Sequence, residues 1–224
     1  MGKYFKYAIG EIALVMIGIL LALQVNNWNE GRKQLKLEKR YLSELVLDLQ
    51  SDSLKISYLK NRSNHQLRAK QKLTEYFNKN KVYPTDSLSE FFQLQWQSIF
   101  SFDPITTTLD EMKSTGNIGV IQNLDLRRKI LKVYNDYKLF NSYDEKTYNK
   151  QQEETWKLIF SKVPNLYSAK TFQNNSMDIV KTLDNFEIRN RLLGNYAKGL
   201  NVGLHQLEKT NSELLEAIKT ELEQ

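Results

Sequence analysis

The stretch AIGEIALVMIGILLALQV, residues 8–25, decides the fold of this chain, and Glu11 is its only charged residue. As a helix rising about 1.5 Å per residue it is roughly 27 Å long, close to the ~30 Å hydrocarbon core of a bilayer. Its Leu, Ile and Val side chains favour the membrane by more than one carboxylate near the segment's start opposes it. We therefore expect a single transmembrane helix surrounded by membrane lipid.

The remainder of the chain is polar and long enough to form one soluble domain. The chain has 224 residues and a mean hydropathy of −0.55 despite the apolar run. This division predicts a membrane anchor with interfacial ends at residues 1–28 and a helical soluble domain at residues 29–224. The chain has no cysteine, which excludes disulfides and thiolate metal sites. Its net charge of +6 is dispersed among acids, which favours a solvated surface over nucleic-acid binding.

Beyond the apolar run, hydrophobic residues recur every seven positions in two series. The first series is Leu35, Leu42, Leu49 and Ile56, and the second is Phe186, Leu193, Leu200, Leu207 and Leu214. Stripes of this kind are typical of coiled coils and need partner helices. No proline interrupts residues 29–83, so we expect one long helix rising from the membrane, with Gly31 as its hinge. The simplest arrangement packs the C-terminal helix antiparallel to this first helix, although the stripes alone also permit packing between chains.

The segment between the stripes carries the start and stop signals of shorter helices. Capping-box patterns begin at Ser87 and Thr108, and Gly116 is suited to end the second of these helices. Asn123 is the expected cap of a third long helix that runs to about residue 162. We place the short elements of residues 88–115 at the distal tip. Strand-like alternation is weak, so the fold class is an all-α antiparallel bundle of about three long helices and at least two short ones.

Two stretches of the chain resemble a known family. KYFKYAIGEIALVMIGILLALQVNNWNE (residues 3–30) is similar to the opening of an uncharacterised family of small single-pass membrane proteins from Gram-negative bacteria, and the similarity continues in MKSTGNIGVIQNLDLRRKILKVYNDY (residues 112–137). Members often carry a strongly basic extension before the first motif. The resemblance therefore implies an inner-membrane protein with a cytoplasmic N-terminus and a periplasmic main domain. It brings no activity, cofactor or catalytic residue.

The charges around the apolar run do not fix the orientation by themselves. Lys3 and Lys6 precede the run, and a larger basic group follows it: Arg32, Lys33, Lys36, Lys39 and Arg40. Taken literally, the positive-inside rule would put the large domain in the cytoplasm. Long domains, however, translocate largely regardless of charge, and a short basic N-terminus before an apolar run is typical of a signal anchor. The residues alone leave both orientations open.

One face of the transmembrane helix is the first candidate site. It is formed by an acid, small residues and two aliphatic ones: Glu11, Leu14, Gly18, Ala22 and Val25. Small residues let another helix approach closely, so this face predicts an oligomeric bundle in which Glu11 lines a proton or ion path or pairs with a partner's base. Alternatively, Glu11 lies near the headgroups and accepts a hydrogen bond from Tyr7.

Other candidates have structural interpretations that we favour. The turn STGNIGVIQN (residues 114–123) could present backbone N–H groups to an anion or peptide, but such a stretch is usually a helix connection. Gly194, Gly199 and Gly203 indicate a close helix approach or a bend, or else a ligand notch. His65 and His205 stand alone, and the sequence contains no nucleophile or metal-ligand motif. We therefore expect no enzyme activity, no catalytic residue, no metal and no cofactor.

These observations favour a single-pass scaffold or interaction protein that forms a homo-oligomer or assembles with another envelope protein. One alternative is a ligand-sensing helical module that acts through a partner subunit, its small-molecule ligand unknown. The other is a channel or proton-coupled accessory subunit that uses Glu11.

Overall fold

The first helix joins the apolar run to the bundle without a break. The computed structural model describes residues 2–96, 99–162, 182–194 and 196–223. Helix α1 spans Gly2–Phe77 and is helical through the expected hinge at Gly31. At about 1.5 Å per residue it is roughly 114 Å long. Among the described helices, only α1, from Gly10 onward, is long and apolar enough to cross a membrane.

The remaining described elements are also helical, which confirms the all-α bundle. They are α2 (Thr85–Trp96), α3 (Thr107–Ser114), a 3-10 turn (Asn117–Val120), α4 (Leu124–Phe140), a π-helical turn (Asn141–Glu145), α5 (Lys146–Lys162), α6 (Phe186–Leu192) and α7 (Tyr196–Leu222). Asn123 caps α4 as predicted, because its side-chain oxygen accepts hydrogen bonds from the Asp125 and Leu126 amides. Gly116 follows the C-cap of α3 with φ +72°, a conformation that glycine adopts without strain.

Helices α1 and α7 pack antiparallel along the bundle. The Asn211 side-chain amide donates to the Leu49 carbonyl over 3.2 Å, and that of Asn201 donates to the Ser63 hydroxyl over 3.0 Å. Residues farther along α1 therefore face residues nearer the start of α7. The two hydrophobic stripes pack against each other within one chain.

Two hydrophobic cores fill the bundle. The larger core lies between α1, α4 and α7, with α3 closing its side; its most buried large side chains are Tyr41, Leu42, Leu45, Leu49, Ile56, Phe100, Phe102 and Tyr137. The smaller core lies at the distal end, where α2, α5 and α6 pack around Ala69 and Leu73 of α1. These cores leave the α1 segment before Glu38 outside the bundle, because Glu38 is the first buried residue of α1 among those whose side chains are described.

Helix α3 lies at the base of the bundle, nearest the apolar run, rather than at the distal tip, which corrects one expectation. Residues 99–106 are non-helical and run back along the bundle; we call them the strap. The strap brings α3 down to the start of the α1 stripe, where the Glu111 carboxylate accepts hydrogen bonds from Arg40 over 2.9 Å and from Tyr41 over 3.0 Å. Of the short elements, α2 packs at the distal end.

The second heptad series spans two helices instead of one. Helix α6 ends at Leu192, Leu193 is its C-cap, and Gly194 separates it from α7. The cap at the start of α6 is Asn185, whose side chain accepts from the Glu187 and Ile188 amides. The uninterrupted seven-residue spacing therefore runs across the break between α6 and α7.

Candidate functional site

The predicted transmembrane face lies on an uncovered part of α1. Glu11, Leu14, Gly18, Ala22 and Val25 are all exposed, and no atom lies within 4 Å of a side-chain carbon built at Gly18. Its geometry therefore leaves room for the backbone of a neighbouring helix to approach. Among the described residues nothing packs on this face.

The predicted packing residues divide into a buried set and two exceptions. Leu42, Leu49, Ile56, Leu200, Leu207 and Leu214 are buried in the larger core. Leu193 is half-buried and packs against the distal core. Leu35 is 54% exposed, because it precedes the first buried layer at Glu38. On α1, the intrachain stripe thus begins one heptad later than its spacing predicts.

Several polar residues, which the hydrophobic pattern did not predict to be buried, lie in the same inward stripe. Asn211 is fully buried, and its amide donates to both the Leu49 carbonyl and the Tyr137 hydroxyl, which links α7 to α1 and α4. Asp52 is also fully buried and accepts from the Ile105 amide at 3.0 and 3.2 Å. Burial raises the pKa of Asp52 above its usual value of 3.8, against the opposing effects of that hydrogen bond and of Lys55. The signal for these residues was the gap that each leaves in an otherwise apolar stripe.

A second polar cluster lies in the distal half of the bundle. The Gln66 amide donates to the Tyr148 hydroxyl and to the Gln95 carbonyl, and the Gln152 amide donates to the same hydroxyl over 2.8 Å. The side-chain oxygens of Gln66 and Gln152 are buried without a partner and adjoin a cavity of about 10 Å³. That volume holds about one water molecule. The cluster therefore has the size of a structural water site rather than of a metabolite pocket.

Side chains from neighbouring elements bind the backbone N–H and carbonyl groups of the strap. The Asn149 side chain donates to the Phe100 carbonyl over 2.6 Å and accepts from the Phe100 amide over 3.1 Å. The Phe102 amide donates to Glu145 over 2.7 Å, and Asn141 donates to the Phe102 carbonyl over 2.9 Å. Burial raises the pKa of Glu145. These contacts satisfy backbone groups that a non-helical segment would otherwise leave unpaired in the core.

The turn of residues 114–123 connects α3 to α4, which agrees with its interpretation as a helix connection. Ile121 is buried and Ile118 packs against the larger core. The Gln122 amide donates to the Glu38 carboxylate over 2.7 Å, and the Arg127 guanidinium donates to the Ile121 carbonyl. Backbone groups in this turn thus already have partners inside the chain. No group of three or more potential metal ligands occurs in the described part of the chain.

The side of α1 that faces away from the bundle carries an apolar stripe. Leu47 is 66% exposed, Leu54 is 75% exposed and Tyr58 is 62% exposed. At about 100° per residue these three side chains lie within about 20° of one line along the helix, and Glu11, Gly18 and Ala22 lie on the same line. We call these six residues the outer face of α1. Sequence reasoning missed its upper half, although the spacing of seven and four residues between Leu47, Leu54 and Tyr58 was visible.

The segment between the apolar run and the bundle carries three basic residues. The Arg32 guanidinium lies 5.0 Å from the centre of the Trp28 ring, and the Lys33 ammonium lies 2.7 Å from the Glu30 carboxylate. Lys36 has no carboxylate within salt-bridge distance among the described side chains, and it is exposed. We call Arg32, Lys33 and Lys36 the basic collar.

Comparison with known proteins identifies a family but no function. No curated protein and no solved structure matches the chain. A family of unknown function, DUF6090, matches residues 11–193. That match takes in the apolar run from Glu11, the strap, the distal polar cluster and α6. The chain therefore belongs to the family of unknown function DUF6090.

Proposed function

We propose that this protein is a single-pass, membrane-anchored helical scaffold that assembles with itself or with another envelope protein through the outer face of α1. The observation that carries this proposal is the partition of α1 into two opposite sides. Its inward stripe is buried against α7 of the same chain, whereas the six residues of the outer face are exposed. Lys36 and Arg40 lie on the same line and divide this face into a lower and an upper part. Exposed apolar residues aligned with a small-residue membrane face are typical of a helix that has a lateral partner.

The proposed location is the inner membrane of a Gram-negative bacterium, with the N-terminus in the cytoplasm and the bundle in the periplasm. The resemblance of residues 3–30 to small Gram-negative membrane proteins supports this orientation. The absence of native cysteine makes it testable with a single probe at Val82, which is 90% exposed. We expect Val82→Cys to react with a membrane-impermeant maleimide in intact spheroplasts. Reaction only after lysis would reverse the orientation.

The proposed role involves assembly and no catalysis, cofactor or nucleic acid. The polar groups inside the bundle support it, because the buried Asn211 and Asp52 and the half-buried Asn149 bind backbone or side-chain groups of the same chain. Such contacts fix the register of helices and the path of the strap.

Particle mass measured directly from the native membrane tests the assembly. We expect full-length protein extracted with its surrounding lipid to form a particle heavier than one 26.3 kDa chain, at a defined stoichiometry. Leu47→Glu with Leu54→Glu should reduce it to a single chain, because charges would enter the outer face. The matched control is Leu131→Glu with Leu139→Glu on α4, two leucines that are also exposed. A lone wild-type chain would overturn the proposal.

A further inference from the structure

The basic collar lies where α1 leaves the membrane. Val25 ends the apolar run, and Arg32 and Lys36 follow it by about 10 and 16 Å along the helix axis. Side chains on a helix point towards its N-terminus, which for this helix is towards the bilayer. Long basic side chains also extend their charged ends to the headgroup layer. The Arg32 guanidinium, which is the collar cation nearest the apolar run, is therefore within reach of the lipid phosphates, and Lys33 and Lys36 follow it within about one helical turn.

The collar is available to a ligand at that depth. Arg32, Lys33 and Lys36 are exposed, and the bundle begins only at Glu38. Trp28 is 63% exposed, and the Arg32 guanidinium stacks 5.0 Å from its ring centre. A tryptophan at this level prefers the membrane–water interface. The stacking holds the guanidinium beside the lipid surface.

The charges of the collar are only partly neutralised within the chain. Glu30 pairs with Lys33, so the segment retains an excess of positive charge on Arg32 and Lys36. Further along α1, beyond Lys39, Arg40 lies near Glu111 and Glu44 and is therefore already compensated. Uncompensated positive charge at headgroup depth is complementary to anionic phospholipids.

We propose that the basic collar is a binding site for the headgroups of anionic phospholipids, with Arg32, Lys33 and Lys36 as phosphate ligands and Trp28 as the interfacial anchor. An arginine presents paired donors to a phosphate, and lysines add point charge. The proposal rests on the membrane anchor of the proposed function.

Lipid retention by the full-length protein tests this site. The protein is placed in nanodiscs of equal phosphatidylcholine and phosphatidylglycerol, and the lipids that remain on each released chain are counted by native mass spectrometry. We expect wild type to retain phosphatidylglycerol preferentially. The triple variant Arg32→Gln, Lys33→Gln, Lys36→Gln should lose at least about fivefold of that preference, which is the effect of one cation near an anionic surface.

The matched control is Lys138→Gln, Lys146→Gln, Lys150→Gln. It removes the same charge from exposed lysines in the distal half of the bundle, far from the bilayer, and should retain the wild-type preference. Equal retention of both lipids by wild type, or an equal loss in the control, would overturn the collar while leaving the anchor intact. Failure of the full-length chain to insert into nanodiscs would overturn both. A collar variant that keeps the wild-type lipid preference would also overturn the lipid site. If an acidic protein then copurifies with wild type alone, the collar would be assigned to that protein partner instead.

Discussion

Gly203 shows at the level of one residue how closely the helices approach. It lies on α7 against the end of α4, and a side-chain carbon built on it would come within 2.9 Å of the Phe140 ring. That distance is too short for an ordinary carbon contact, so the position requires glycine. The interpretation of this glycine as a close approach is therefore the one that the geometry supports.

We predict that Gly203→Ala destabilises the bundle. The added methyl group must displace the buried Phe140 ring, which should lower the free energy of unfolding by about 1–3 kcal/mol. Chemical denaturation of the detergent-solubilised protein measures the change. Gly199→Ala on the same helix is the control, because nothing lies within 4 Å of its new carbon. It should be neutral or stabilising by up to about 1 kcal/mol, and equal effects at both positions would contradict the close approach.

We also predict that Asp52 gives stability a specific dependence on pH. Burial raises its pKa in the folded state above 3.8, so the folded chain binds this proton more tightly than the unfolded chain does. As the pH rises from the usual aspartate pKa through the raised one, this group should therefore remove stability. Asp52→Asn cannot titrate. Unfolding measured across this range should show wild type losing stability relative to the variant as the pH rises, and a constant difference would rule the effect out.

At the scale of elements, the strap is a non-helical segment within a helical bundle. It runs between α1 and the α4–α5 junction, where Phe100 and Phe102 enter the larger core. Side chains from both sides bind its backbone: Asn149 at Phe100, and Asp52 at Ile105. A segment without internal hydrogen bonds can cross a core only if such groups satisfy it.

We predict that Asn149→Ala loosens the strap. The change removes both partners of the Phe100 backbone and should cost about 1–3 kcal/mol for the unpaired groups. Hydrogen exchange at the Phe100 amide should accelerate, while exchange within α7 changes only with global stability. Lys150→Ala, at the neighbouring exposed position, is the control and should leave the strap protected. Unchanged exchange in Asn149→Ala would contradict the role of Asn149 in holding the strap.

The elements differ in how well the sequence predicted them, for local reasons. Asn123 and Gly116 were identified because caps are read from neighbouring residues. The capping boxes predicted at Ser87 and Thr108 were wrong, because both residues lie within the first turns of α2 and α3. The position of α3 was wrong because it depends on the strap, whose partners Asn149 and Asp52 are distant in sequence. The break at Gly194 was missed because the seven-residue spacing of leucines continues across it. On the predicted transmembrane face, the small residues and Glu11 were visible, but its continuation at Leu47 required the bundle's orientation.

At the scale of the whole molecule, the antiparallel α1–α7 pair determines whether the stripes pack within or between chains. The Asn201 amide donates to the Ser63 hydroxyl over 3.0 Å, so these two side chains are neighbours in a single chain. The chain has no native cysteine, which leaves introduced pairs free of competing thiols.

We predict that Ser63→Cys with Asn201→Cys forms a disulfide within one chain. Oxidised full-length protein should migrate on a non-reducing gel as a compact monomer rather than as a dimer, because the two positions face each other inside the same bundle. Each single cysteine variant is the control and should give no compact form. A covalent dimer in the double variant would instead place α1 and α7 of different chains together.

Because α1 is unbroken, a change of tilt at its N-terminal end moves the distal end of the bundle sideways. In the proposed membrane placement, the helix extends from Val25 to Phe77 about 78 Å beyond the hydrocarbon, without a break at Gly31 to absorb a change of angle. Transmembrane helices tilt by about 20° on average to match bilayer thickness, and at that angle the distal end swings sideways by about 27 Å. A small adjustment to the thickness of the bilayer is thereby converted into a large displacement at the far end of the bundle.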